Sequence, residues 1–233
     1  MKANKVLSVY AVGALALAFA GSAMAQPPKP EAKPASKPAV QPEHKSDKDK
    51  KDDKKAGKLE IGHAAPAFTL TDTEGKEHSL ASSAGKIVVL TWFNADCPYV
   101  KKHYEVNTTF ADLNKKYGDK VQFFAINSGA TGEQGAGKDR NVKAKKDWAI
   151  AFPILLDESG STGKAYNAKN TPYTVVIGAD GKVAYTGAPD DSTDATALGK
   201  TNYVSKALDE LLAGKPVSTP ETKPYGCAVK YKN

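Results

Sequence analysis

From Lys86 to Phe93 the chain is almost continuously apolar, with Ile87-Val88-Val89-Leu90 uninterrupted. A run of that length without alternation predicts a strand buried on both faces, the kind found inside a parallel sheet. Pro98 suits a first helical turn, and Val100, Tyr104, Val106, Phe110, Leu113 and Tyr117 recur three or four apart until Gly118. That spacing predicts one amphipathic helix. Val121 to Ile126 is a second buried strand, Asp139 to Ile150 a charged helix with Trp148 as its core anchor, and Pro153 to Asp157 a short strand. Ser161 to Tyr166 reads as a short helix. Thr171 to Ile177 and Lys182 to Tyr185, joined at Asp180-Gly181, read as a β-hairpin with a proline at its entrance. Asn202 to Ala213 is a last helix whose buried face is Tyr203, Val204, Ala207, Leu208, Leu211 and Leu212. Upstream, Leu59 to Phe68 is an entry segment, followed by strand, turn and short strand through Leu80.

Strand, helix, strand, helix, strand, hairpin, helix is the order of an α/β sandwich around a mixed sheet. The chain's net charge of +7 comes mostly from outside that region. Residues 1–25 read as a secretory signal: Lys2 and Lys5 precede an apolar core from Val6 to Ala20, and Ala23-Met24-Ala25 fits a cleavage site. Residues 26–58 carry six prolines, ten lysines, six acids and no aromatic residue, so they read as a disordered linker. Residues 59–233 then form one domain, with 214–233 as an extended tail. From residue 59 on, 21 basic residues face 20 acidic ones, so nothing favours a nucleic-acid partner. After signal cleavage no stable membrane insertion is expected, and the chain is expected in the periplasm or cell envelope.

The chemistry lies with the two cysteines, Cys97 and Cys227. Cys97 ends the first buried strand and opens a helix, where unpaired N–H groups favour a thiolate. Lys101, Lys102 and His103 add to that effect, and Asp96 opposes it. Cys227 lies in the tail, which is long enough to reach Cys97 at about 3.3 Å per residue. Three relations are open: a redox-active pair, a static disulfide, or no pairing. Cys97 and His103, six apart, stand on nearly opposite sides of a helix and would not chelate a metal together. Asp190, Asp191 and Asp194 read as a solvated loop. The glycine-rich connection from Ser128 to Gly137 lacks the Lys-Ser/Thr of a phosphate loop and reads as a flexible rim beside the active face.

Several stretches resemble a known family. "GHAAPAFTLTDTEGKEHSL" is similar to the opening of the alkyl hydroperoxide reductase/thiol-specific antioxidant branch of the thioredoxin-like redoxins. "WFNADCPYVKKHY", "NTPYTVVIGADGKVAYTG" and "KPYGCAVKY" resemble exported peroxiredoxin-like proteins. The resemblance implies a thioredoxin-like three-layer sandwich with a central mixed β-sheet and a cis proline at Thr171-Pro172 opposite the reactive cysteine. It implies a thiol-dependent oxidoreductase or antioxidant protein with no organic cofactor and no metal, acting on a thiol, disulfide or peroxide substrate with an unidentified electron donor. Cys97 would be the nucleophile and Cys227 the resolving thiol, with Thr171, Pro172, Trp92 and Tyr99 positioning substrate. The departures are specific. Val100 takes the second position of Cys-x-x-Cys, Asn94 and Leu90 stand where peroxiredoxins have Thr/Ser and Pro, and Arg140, the single arginine, sits in a loop-to-helix region away from the Thr-Pro turn. The alternative is a binding protein for a partner or metal that keeps the fold and a structural Cys97-Cys227 disulfide.

Overall fold

The computed structural model describes residues 59–232, so the signal and linker expected at 1–25 and 26–58 lie outside the described residues. β3 (Ile87–Trp92) is buried at every position. It is parallel to β4 (Val121–Asn127) and antiparallel to β7 (Tyr173–Ile177). β5 (Ile154–Leu156) runs parallel beyond β4, the hairpin β1 (Thr69–Asp72) and β2 (Glu77–Ser79) closes that edge, and β8 (Val183–Gly187) closes the other. The resulting order is β2-β1-β5-β4-β3-β7-β8. This is the mixed sheet the element order implied, and the uninterrupted apolar runs are its central strands.

Strand alternation divides the core in two. Ile87, Val89 and Phe93 face one cluster, with Phe110, Leu113, Tyr117, Ala144, Val204 and Leu208 from the helices above. Val88, Leu90 and Trp92 face the other, packed by Phe68, Tyr166 and the entry segment. The helices of the first layer are α1 (Pro98–Lys101), α2 (Thr109–Tyr117), α3 (Lys138–Asp147) and α5 (Tyr203–Leu212), while α4 (Ser161–Ala165) is a short turn.

Two sequence expectations fail here. The single helix after Cys97 is three pieces: α1, a π-helical turn over Lys102–Val106, and α2. Asn107 is extended and its side-chain amide donates to the Lys102 carbonyl at 2.9 Å, which ends the turn. Val106 is left 63% exposed, because the break turns Lys102 and His103 inward instead. Leu212, read as buried, is 39% exposed at the end of α5. Among the described residues no helix is long and apolar enough to cross a membrane.

The tail is bound along its length. It runs beside β8, where the Thr186 N–H donates to the Pro220 carbonyl at 2.9 Å and the Thr222 N–H to the Thr186 carbonyl at 3.0 Å, and it then forms β9 (Cys227–Ala228), antiparallel to β6 (Asn170–Thr171). Beyond that, the Val229 N–H donates to Lys169 and the Ala130 N–H to Lys230, at 2.9 and 2.8 Å. Tyr231 lies over Gly160 and Gly163, where a Cβ would come within 2.5 Å and 2.3 Å of its ring and hydroxyl. The Tyr231 hydroxyl donates to the Ala168 carbonyl at 2.6 Å. These glycines shape a seat that a methyl group would fill.

Candidate active site

Cys97 is the N-cap of α1, and its carbonyl accepts from the Val100 and Lys101 N–H groups, each at 3.0 Å. The loop before it is braced. The Asn94 side chain accepts from the Asp96 N–H at 2.9 Å and donates to the Gln134 carbonyl at 3.0 Å. Gly135 packs so closely on Asn94 that a Cβ there would sit 1.9 Å from its Oδ1. The glycine-rich connection is therefore a packed brace for the cysteine loop, not the flexible rim its composition suggested.

Arg140, distant from Cys97 in sequence, is brought to this loop by α3. Its guanidinium donates to Asp96 Oδ1 through Nε and Nη2 at 2.9 and 2.7 Å, and to the Ala95 carbonyl at 2.9 Å. The carboxylate beside Cys97 thus has its own cation.

The Thr171–Pro172 bond is cis. The Thr171 carbonyl accepts the Cys97 thiol proton at 3.2 Å, and the backbone edge of Thr171 is occupied: β9 pairs with it, Thr171 opposite Cys227. Cys97 is only 2% exposed. The tail strand thus takes the turn that the resemblance assigns to positioning substrate. Cys227 is partly exposed and packs against the cluster that holds Cys97. Its thiol is pushed up to about 12 by burial first and then by the hydrogen bond and charge of Cys97, against the opposing pull of Lys230 and the Tyr99 backbone. Both cysteines are free thiols.

Trp92 does not flank this site. It is fully buried in the opposite layer, donating to Ser128 Oγ at 3.1 Å and packed on Tyr166 and Tyr173. Alternation along β3 requires it: Phe93 faces the helices, so Trp92 faces away. Tyr99 does stand beside the tail, its ring 5.8 Å from that of Tyr225.

Next to the cysteines lies a buried polar cluster that sequence reading missed. Lys102 and His103 are 0% exposed and Asp190 3%, so Asp190 is not part of a solvated loop. Lys102 Nζ donates to Asp190 Oδ1 at 3.3 Å and to the Ser192 carbonyl at 2.8 Å, and lies 4.6 Å from the centre of the Tyr225 ring. The Tyr225 hydroxyl donates to Asp190 Oδ1. That spends its proton, so His103 Nε2 must donate to the Tyr225 oxygen at 2.8 Å, leaving Nδ1 to accept from Thr109 at 3.1 Å. Burial pushes the His103 imidazole down to about 4, Lys102 pushes it further, and Asp190 pulls it up. For Asp190, burial opposes ionisation, but the Gly199 N–H, the Tyr225 hydroxyl and nearby positive charge hold its carboxyl below the usual range. Of the neighbours expected to act on Cys97, Lys102 and His103 are instead committed to holding Tyr225, two residues from Cys227. Among the described residues no group of three or more His, Cys, Asp or Glu side chains stands together as a metal site would need.

The family model described as Redoxin matches residues 60–204. A thiol-disulfide oxidoreductase ResA of Bacillus thuringiensis subsp. konkukian is 33% identical over 131 residues, covering 55% of this chain and 70% of the relative. Its counterpart in Bacillus subtilis strain 168 is 32% identical over 130 residues, 55% of this chain and 68% of the relative. Among solved structures, an uncharacterized conserved protein from Geobacillus kaustophilus is 31% identical with a TM-score of 0.66, covering 75% of this chain and 93% of that one. A hypothetical protein from Sinorhizobium meliloti 1021 is 27% identical with a TM-score of 0.67, covering 76% of this chain and 97% of that one.

Proposed function

The chain belongs to the Redoxin family, and from that membership we propose that it is a thiol-disulfide oxidoreductase whose redox couple is Cys97 with Cys227. One observation carries the reading: Thr171 is opposite Cys227 in the β6–β9 ladder while its carbonyl holds the Cys97 thiol. Two sulfurs far apart in sequence are thereby gathered at one peptide unit. Val100 leaves no second cysteine within the α1 turn, and the tail supplies it instead.

The exchange is a two-electron one. The protein dithiol and a partner disulfide give the Cys97-Cys227 disulfide and two partner thiols, and a dithiol donor drives the reverse. Relatives named thiol-disulfide oxidoreductases support this class. Peroxide reduction is less favoured by the site: both ends of the Asn94 amide and the Arg140 guanidinium are already engaged within the loop. Thr171 and Pro172 serve here to seat the tail strand, and Tyr99 to border Cys227. Placement in an exported, oxidising compartment, as the N-terminal segment suggests, suits such a couple.

The test is to oxidise the protein mildly, map its disulfide by non-reducing peptide mass spectrometry, and titrate it against a glutathione couple. A Cys97-Cys227 bond with two-electron behaviour, and loss of turnover on a protein disulfide in Cys227→Ser, is expected. Unpaired cysteines after oxidation, or normal turnover in Cys227→Ser, overturns the reading.

A further inference from the structure

Building on the Cys97-Cys227 couple, we propose that external thiols exchange at the Cys227 sulfur, with Cys97 as its buried internal partner, the reverse of the order expected from sequence. In that order the cysteine at the strand-to-helix turn meets the partner first and the tail cysteine resolves. The burial of the two sulfurs argues otherwise. Cys97 is 2% exposed, whereas Cys227 is open in part to solvent.

The cover over Cys97 is not a loose flap. β9 takes the backbone edge of Thr171 at which an incoming strand would have to pair. Gly226 fits so tightly there that a Cβ would meet the Thr171 oxygen at 2.1 Å. On one side Tyr225 is sunk into the Lys102, His103 and Asp190 cluster, and on the other Tyr231 is seated on Gly160 and Gly163. A partner that reached Cys97 directly would have to undo anchors on both flanks. Cys227, by contrast, is already open in part to solvent.

The chemistry agrees with the geometry. In the oxidised protein an incoming thiolate R–S⁻ attacks Cys227 Sγ, the Cys227–Cys97 bond breaks, and Cys97 leaves as a thiolate beside the Thr171 carbonyl. A second thiolate then attacks the R sulfur, giving R–S–S–R and freeing Cys227, and two protons are taken up from solvent. Burial disfavours a thiolate at Cys227, which counts against Cys227 as the leaving sulfur.

The experiment uses the wild-type protein, oxidised and shown to carry the Cys97-Cys227 bond before any thiol is added. It is mixed with excess mercaptoethanesulfonate, quenched in acid over a series of short times, alkylated and peptide-mapped. The sulfonate adduct is expected on Cys227 at least tenfold over Cys97, with Cys97 recovered as the alkylated thiol. An adduct mainly on Cys97, or shared equally, overturns the assignment while leaving the couple intact. Failure of the starting bond to form overturns the couple itself, and is seen before the thiol step.

Discussion

Thr171 and Cys227 face each other across the β6–β9 ladder, and the Thr171 carbonyl also accepts the Cys97 thiol proton at 3.2 Å. The tail is therefore a component of the site. Any change that shifts β9 by a fraction of an ångström moves one sulfur relative to the other.

Gly226→Ala tests that dependence. Gly226 has φ +104° and no room for a Cβ against Thr171, so the substitution strains the backbone and pushes β9 outward. A loss of about 2–3 kcal/mol is expected from the combined strain and clash, with a tenfold or greater slowing of Cys97-Cys227 bond formation. Urea unfolding and timed alkylation read the two effects separately.

Tyr225→Phe keeps the ring over Lys102 but removes a hydroxyl that donates to Asp190 and accepts from His103. Leaving the His103 N–H without its partner and Asp190 with one donor fewer should cost about 1–3 kcal/mol. Hydrogen exchange at the Cys227 and Val229 amides should accelerate if Tyr225 anchors β9; unchanged exchange there would show that the strand is held from the Tyr231 side alone.

The buried cluster also gives stability a pH dependence of known sign. His103 is held neutral, its ionisation pushed down to about 4 by burial, while in the unfolded chain it titrates near 6.5. A depressed folded value means the unfolded state binds protons first. The contribution of His103 is complete above about pH 6.5 and is lost as pH falls toward about 4, up to about 3 kcal/mol in all. Denaturant midpoints at pH 7, 5.5 and 4.5 should fall in that order. Lys102→Met removes a positive charge that disfavours the imidazolium, so His103 should protonate at higher pH by NMR titration, with the folded state weakened because Asp190 loses a partner.

Oxidation should stabilise the chain as well as store electrons. A bond between Cys97 and Cys227 closes a very long loop, and the chain-entropy model gives about 5 kcal/mol for it. The oxidised protein is expected to unfold at clearly higher urea than the reduced one, and Cys227→Ser should abolish the difference. Identical midpoints for the two redox forms would mean that the bond strains the fold by as much as it restrains the unfolded chain.

The frame of the molecule is legible because it rests on local pattern: unbroken apolar runs mark β3 and β4, and the same pattern puts Cys97 at the β3–α1 junction. The Thr171-Pro172 turn was legible by resemblance. What escaped depends on long-range packing. Lys102, His103 and Asp190 carry charge-bearing side chains that ordinarily face water, and only their meeting with Tyr225 from the tail makes burial tolerable. Trp92 could have been placed correctly, since strand alternation with Phe93 already turned it away from the helices. Arg140 reaches Asp96 through a connection whose glycines read as slack, and whose packing on Asn94 has no sequence signature.

Cys97 emerges from the ribosome some 130 residues before Cys227, and the ladder that joins them also needs β6 and the turn at Pro172. During synthesis the early sulfur has no native mate. The proposed bond between them would consequently form late, certifying a finished fold instead of steering it, and an oxidant arriving too soon would find Cys97 unprotected.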